Sequence, residues 1–132
     1  MDNNRVSLFI GENQKQALLE SLKLYTGNYP ERYSGALYFS DEANQLLSWK
    51  LRFYTKKIVI PSYIPGTKNY CMYNINDLSA GDIMAIVRSL QIYTGKFLNA
   101  YRGANTGTRK FVAEKLLEFI LNKYHSFINH LL

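Results

Sequence analysis

The segment with the most chemical character is Arg-Gly-Ala-Asn-Thr-Gly-Thr-Arg-Lys, residues 102–110. It places Arg102, Arg109 and Lys110 around two glycines, directly before a predicted helix. The start of a helix carries unpaired N–H groups and a partial positive charge, so cations there call for a compensating phosphate or carboxylate. The segment is not a Walker A loop, because its glycines are too close and no Lys-Ser/Thr pair follows. It predicts either an anion-binding turn or an ordinary helix–helix connection capped by Thr108.

A second candidate group lies in residues 47–53, where apolar and polar side chains alternate with the period of a strand. The apolar members, predicted to face the core, are Leu47, Trp49, Leu51 and Phe53. Lys50, Arg52 and Tyr54 would then share the opposite face with Ser48. Tyr38, on a neighbouring strand predicted within residues 35–40, would join them. Such a face can hold a phosphate backbone and stack on bases.

A helical interpretation of the same stretch is the alternative. Its apolar face would be formed by Ala43, Leu46, Leu47, Leu51 and Tyr54. We prefer the strand because this helix leaves Trp49 and Phe53 off its main face.

Positive charge is segregated along the chain, which has 132 residues, 16 Lys and Arg, 10 Asp and Glu, and a net charge of +6. Residues 43–76 and 83–113 contain no acid. Their cations are Lys50, Arg52, Lys56, Lys57, Lys68, Arg88, Lys96, Arg102, Arg109 and Lys110. This distribution is typical of a protein that meets phosphates or an acidic protein surface. The plainer alternative is a solvated basic face that serves only solubility.

The remaining pattern predicts the elements that position these groups. Strands are expected at residues 6–10, 57–60 and 70–73, with a turn at Pro65-Gly66. A first helix should run from Glu12 to Gly27, a second should open with a Ser79–Asp82 capping box and extend its apolar face to Tyr101, and a last should cover 109–132. The predicted fold is a single α+β domain, residues 1–132, with an N-terminal helix, a small antiparallel sheet and two long C-terminal helices.

Two stretches of the chain resemble each other. Residues 21–29 and 89–97 share serine, leucine, tyrosine, threonine and glycine at matching positions, and the likeness extends over 18–36 and 86–104. It indicates either a duplicated unit with two related sites or two helices that end with the same stop chemistry.

Most site chemistries are excluded by composition. Cys71 is the single cysteine, and His125 and His130 are five apart on one predicted helix, so neither a disulfide framework nor a shared metal site is expected. No nucleophile elbow or other catalytic motif is present, and we expect no enzymatic activity and no cofactor. No apolar run is long enough for a membrane span, and the first residues do not have the layout of a secretory signal, which predicts a cytoplasmic protein without a membrane partner.

These features favour a small, basic, non-enzymatic protein that binds nucleic acid or a nucleoprotein complex. The abundance of Lys, Asn, Ile and Tyr suits a phage or mobile-element origin. The alternative is an inhibitor or adaptor that docks its basic face on an acidic, nucleic-acid-binding site of a partner protein. The predicted binding residues are Tyr38, Lys50, Arg52, Tyr54, Lys56, Lys57, Arg88, Lys96, Arg102, Arg109 and Lys110. Wide apolar coverage of the last helix also predicts homo-oligomers formed through residues 109–132.

Overall fold

The computed structural model describes residues 4–26, 45–95 and 108–132. The elements in chain order are β1 (Val6–Gly11), α1 (Glu12–Tyr25), α2 (π-helical over Leu46–Lys50, α-helical over Leu51–Phe53), β2 (Thr55–Ile60), β3 (Tyr70–Leu78), α3 (Ala80–Tyr93), α4 (Thr108–Ile128) and a 3₁₀ turn (Asn129–Leu131). The predicted fold class is confirmed: an N-terminal helix, a small antiparallel sheet and a long C-terminal helix form an α+β structure.

The described sheet has three antiparallel strands in the order β1–β3–β2, so β3 lies at its centre. Leu8 lies opposite Ile75 and Ile10 opposite Tyr73, and all four side chains are buried. A bulge interrupts the β1–β3 ladder between Val6 and Leu8. Asp77, beside this bulge, has a φ of 62°, a left-handed conformation that aspartate tolerates better than most residues.

The buried face of the sheet is covered by helices. In α3, ten of the fourteen residues are buried, which makes it the central helix. It contacts both α1 and α4, and α1 also contacts α4. The capping box is confirmed, because the Asp82 N–H donates to Ser79 Oγ at 3.1 Å and the Ser79 N–H donates to Asp82 Oδ2 at 2.9 Å. This reciprocal pair fixes where β3 ends and α3 begins.

The strand predicted for residues 47–53 is wrong, because this stretch is the helix α2. The Leu51 N–H bonds to the Leu46 carbonyl, and this five-residue spacing brings two leucines onto one buried face. Trp49 and Phe53 are 51% and 59% exposed, and their ring centroids lie 4.6 Å apart. The predicted apolar alternation therefore combined the core residue Leu51 with an outward aromatic pair. The strand predicted within residues 35–40 lies outside the described residues.

Where the structure describes them, over residues 18–26 and 86–94, the two similar stretches have the same local structure. Ser21 in α1 and Ser89 in α3 each donate to the carbonyl three residues earlier at 2.8 Å, and Thr26 and Thr94 each donate to the carbonyl four residues earlier at 2.8 Å. Each helix has 14 residues and directly follows a strand of the sheet. The shared stop chemistry is therefore present at both helix ends, and the choice between a duplicated unit and a shared helix end stays open.

The second long helix is shorter than its sequence pattern predicts. It ends at Tyr93, because the Thr94 hydroxyl bonds back to the last turn and Gly95 takes a φ of 75°, a left-handed conformation typical of a helix end. The extension of its apolar face to Tyr101 as one helix is therefore wrong, and Tyr101 itself lies outside the described residues.

Candidate nucleic-acid interface

Lys50 is engaged inside the chain. Its ammonium forms an ion pair with the Asp82 carboxylate and donates to the Asp77 carbonyl at 3.2 Å. The Lys50 and Asp82 side chains are only 13% and 3% exposed. Because α2 is a helix, Lys50 does not share a strand face with Arg52 as predicted. Its contacts tie α2 to the junction between β3 and α3.

Arg109 is also paired within the chain. Its guanidinium contacts the Glu20 carboxylate of α1, and the Tyr93 hydroxyl of α3 donates to the same carboxylate at 2.6 Å. The compensating carboxylate predicted for the start of the last helix is therefore Glu20. This contact joins three helices. The segment before it, residues 102–107, lies outside the described residues, so both interpretations of that segment stay predictions.

The other predicted members of the second basic run divide into two groups. Lys110 is exposed, and Arg88 is half-buried in α3. Lys96 and Arg102 lie outside the described residues. So does Tyr38, the aromatic residue predicted on the strand within residues 35–40. Convergence of Arg102 on the start of α4 therefore stays a prediction.

Exposed cations concentrate between α2 and β3. Arg52, Lys56 and Lys57 are all exposed, and so is Lys68 in the loop between β2 and β3. None of the four makes an ion pair with any part of the chain that the structure describes. Tyr54, the predicted aromatic member, is exposed beside them. Arg52 and Lys56 are four positions apart in the chain, so their Cα atoms can be at most about 14 Å apart.

The sheet surface turned away from the buried core is the second component, and we call it the open sheet face. Lys56, Asn74 and Phe9 form one row across its three strands, and Ile58 lies beside Met72 in the next. Tyr70 lies beside Ile60 in a third row. The complete set of described residues on this face is Ser7, Phe9, Gly11, Lys56, Ile58, Ile60, Tyr70, Met72, Asn74 and Asn76, which includes no carboxylate.

The polar side chains of the open sheet face hold one another in place. Asn76 Oδ1 accepts hydrogen bonds from Ser7 Oγ at 3.0 Å and from Asn74 Nδ2 at 3.1 Å. Phe9 and Tyr70 are exposed beside this network. A lysine, amides and aromatic rings on one sheet surface can neutralise phosphates, bond to base edges and stack on bases.

Sequence reasoning missed the open sheet face because it assigned that role to residues 47–53. A usable signal was present in β2 and β3. Lys56, Ile58 and Ile60 alternate on one strand, and Tyr70, Met72 and Asn74 alternate on its partner. Both sets mix polar and apolar side chains, which is typical of a sheet surface that remains in contact with water.

The opposite sheet face carries one titratable cluster. The Tyr73 hydroxyl donates to the Glu12 carboxylate, and this bond, together with burial, raises the pKa of Tyr73 to about 12. The same bond, followed by a hydrogen bond from Gln16 and the nearby charges of Lys15 and Lys57, holds the pKa of Glu12 below its ordinary value. The Lys15 ammonium also lies 3.9 Å from the centroid of the Tyr73 ring. Lys57 therefore faces a carboxylate of its own chain, unlike Lys56.

The last helix hides most of its apolar side chains. A single face, formed by Ala113, Leu116, Leu117, Ile120, Tyr124 and Ile128, is buried in the core. Exposed apolar side chains of this part of the chain are Phe111, Phe119, Leu131 and Leu132. The surface available for self-association is thus narrower than the sequence pattern indicates.

Comparisons of the chain with protein families, with curated proteins and with solved structures give no match. Within the described ranges, no group of three or more His, Cys, Asp and Glu side chains is placed to hold a metal ion. No described helix combines the length and apolarity needed to cross a membrane.

Proposed function

We propose that this protein binds nucleic acid without catalysing a reaction on it, using the open sheet face and the cations next to it. The observation that carries the proposal is the row of Lys56, Asn74 and Phe9 on a surface that has no described carboxylate. Exposed Arg52 and Lys68 flank this surface in the chain and extend its positive charge. Affinity would come mainly from phosphate neutralisation, with stacking on Phe9 and Tyr70 as the second contribution.

The number of exposed cations sets the expected salt dependence. If Arg52, Lys56 and Lys68 each neutralise one phosphate of a duplex, the slope of log K against log salt is about −2.7. Affinity should then fall ~40-fold between about 50 and 200 mM salt. We place this activity in the cytoplasm, and the composition supports an origin in a phage or mobile element.

Fluorescence anisotropy with labelled single-stranded and double-stranded oligonucleotides tests the proposal. Lys56→Ala should weaken binding about tenfold and make the salt slope shallower by about one. The matched control is Lys23→Ala, which removes an exposed lysine in the last turn of α1, away from the sheet. Equal weakening by both variants would show that net charge alone matters and would refute the site.

An acidic protein surface is the competing partner for the same charges, as the sequence analysis states. A purified acidic protein measured in the same assay separates the two. Absence of any salt-sensitive complex with either oligonucleotide at about 50 mM salt would refute the proposal and leave the inhibitor or adaptor interpretation.

A further inference from the structure

The strands β2 and β3 extend beyond the third strand of the sheet. The last β1 residue in the ladder, Gly11, lies opposite Met72, whereas Val59 opposite Cys71 and Ile60 opposite Tyr70 continue as a two-stranded ribbon. A nine-residue loop, 61–69, closes the ribbon. We call residues 59–70 the β2–β3 arm. Every residue of this arm except Ser62 is exposed.

The tip of the arm has a defined backbone. The Thr67 N–H donates to the Ile64 carbonyl at 3.1 Å, and Gly66 between them has a φ of 84°. With proline before this glycine, the geometry is that of a type II turn. At the base of the loop, the Ser62 N–H donates to Asn69 Oδ1 at 3.0 Å. The tip therefore presents its side chains from an ordered loop.

The side chains at the tip are apolar and are not part of the buried core. Tyr63 is 99% exposed and Ile64 is 67% exposed, and Pro65 is exposed next to them. Exposed apolar groups clustered at one protruding point indicate a contact surface. Their surroundings in the chain are basic, since Lys68 lies within the loop, Lys57 precedes it in β2, and the sequence contains no acid from Thr55 to Asn76.

We infer that the β2–β3 arm enters the minor groove of duplex DNA, where its apolar tip wedges against a base step and its Lys68 contacts a flanking phosphate. Isoleucine and proline are among the side chains that minor-groove proteins insert between base steps to kink a duplex. The inference rests on the proposed function and names duplex DNA as the ligand class.

Continuity with the open sheet face favours DNA over other occupants of an apolar tip. Ile60 and Tyr70 belong both to the arm and to that face. From Lys56 to Ile60 the strand rises about 13 Å, so one surface runs from the phosphate-binding row to the tip. A kinked duplex can follow such a surface, because bending toward the protein lets it contact more of the chain.

The test compares the wild type with Tyr63→Ser/Ile64→Ser, a variant whose replaced side chains contact no core residue. The probes are a 30-base-pair duplex labelled at both ends for energy transfer and the same duplex with a central nick. The wild type should shorten the end-to-end distance and bind the nicked duplex about tenfold more tightly, because a nick lowers the cost of unstacking. The variant should keep the salt slope but lose the bend and the preference for the nick.

The control is Lys56→Ala, which should weaken binding while retaining the bend at saturating protein. If the wild type binds no nucleic acid, the proposed function fails. If it binds duplex DNA and the tip variant bends it equally, the arm inference fails alone. Tip-dependent binding to phosphatidylserine vesicles without any bending of DNA would also overturn the inference, in favour of a membrane surface.

Discussion

Lys50→Met removes one partner of the buried ion pair with Asp82 while keeping an unbranched side chain to pack. Breaking a buried pair in this way costs about 3–5 kcal/mol, because the remaining charge stays desolvated. In the variant, the Asp82 carboxylate still accepts the hydrogen bond from the Ser79 N–H at 2.9 Å and still lies at the positive end of α3. These interactions reduce the loss of stability by about 0.3–1 kcal/mol. The lost hydrogen bond to the Asp77 carbonyl adds about 1 kcal/mol.

The expected net loss is therefore about 4 kcal/mol of unfolding free energy. Urea denaturation followed by circular dichroism measures it, as a midpoint shift of about 1–4 M at ordinary slopes. The matched control is Lys56→Met, an exposed lysine without an ion pair to any described residue, expected to change stability by no more than about 0.5 kcal/mol. Asp82→Asn combined with Lys50→Met should cost less than the sum of the two single changes, because both remove the same pair.

A loss below about 1 kcal/mol for Lys50→Met would contradict the reasoning, since the pair would then behave as an exposed one. So would a variant that keeps full stability but binds oligonucleotides more weakly than Lys56→Met. In that event Lys50 would belong to the binding surface, as the sequence alone predicts.

Three further changes test other parts of the structure. Thr55→Val should stabilise the fold by about 1 kcal/mol, because the buried Thr55 hydroxyl lacks a hydrogen-bond partner among the described residues. The control Thr94→Val should destabilise it by about 1 kcal/mol, because it breaks a hydrogen bond to a backbone carbonyl. The midpoints of urea denaturation measure both changes. The Tyr73–Glu12 bond should stabilise the fold below pH 10 and stop doing so as pH rises towards 12, because the pKa of Tyr73 is raised. The stability gap between wild type and Tyr73→Phe should therefore close over that range, and the absorbance titration of the variant should lose one tyrosine that ionises near pH 12. We expect light scattering to find an oligomer for the wild type and a monomer for Phe119→Glu; equal masses would remove the last helix as an interface.

Local chemistry explains what the sequence could predict of the fold. The capping box at Ser79 and Asp82 and the turn at Pro65-Gly66 each depend on residues within four positions of one another. The predicted ranges of α1, β1 and β2 agree with the structure to within two residues, whereas β3 continues five residues beyond the predicted 70–73.

The segment 47–53, predicted as a strand and observed as a helix, shows what a local sequence pattern cannot predict. Whether residues 47–53 become strand or helix depends on where Leu46 packs and on the pairing of Lys50 with Asp82, a residue 32 positions away. A period-two apolar pattern does not contain that information. An exposed aromatic pair on a helix produces the same alternation as the core face of a strand.

The candidate site was located only in part for a similar reason. Lys56 and Tyr54 are exposed as predicted, but Arg109 is held by Glu20, 89 residues earlier in the chain. Counting cations along a sequence measures net charge. It does not show which cations already have a carboxylate partner in the folded chain.

The central position of β3 has a consequence for how the protein is made. Leu8 pairs with Ile75, so 67 further residues must be synthesised after Leu8 before its partner in β3 exists. At synthesis rates of about 5–20 residues per second, that is a delay of about 3–13 seconds on the ribosome. During it, the apolar residues of β1 and α1 have neither the central strand nor α3 to cover them. The nascent chain is therefore exposed to chaperones and to aggregation until β3 emerges, and slowing translation between β1 and β3 should lower the soluble yield.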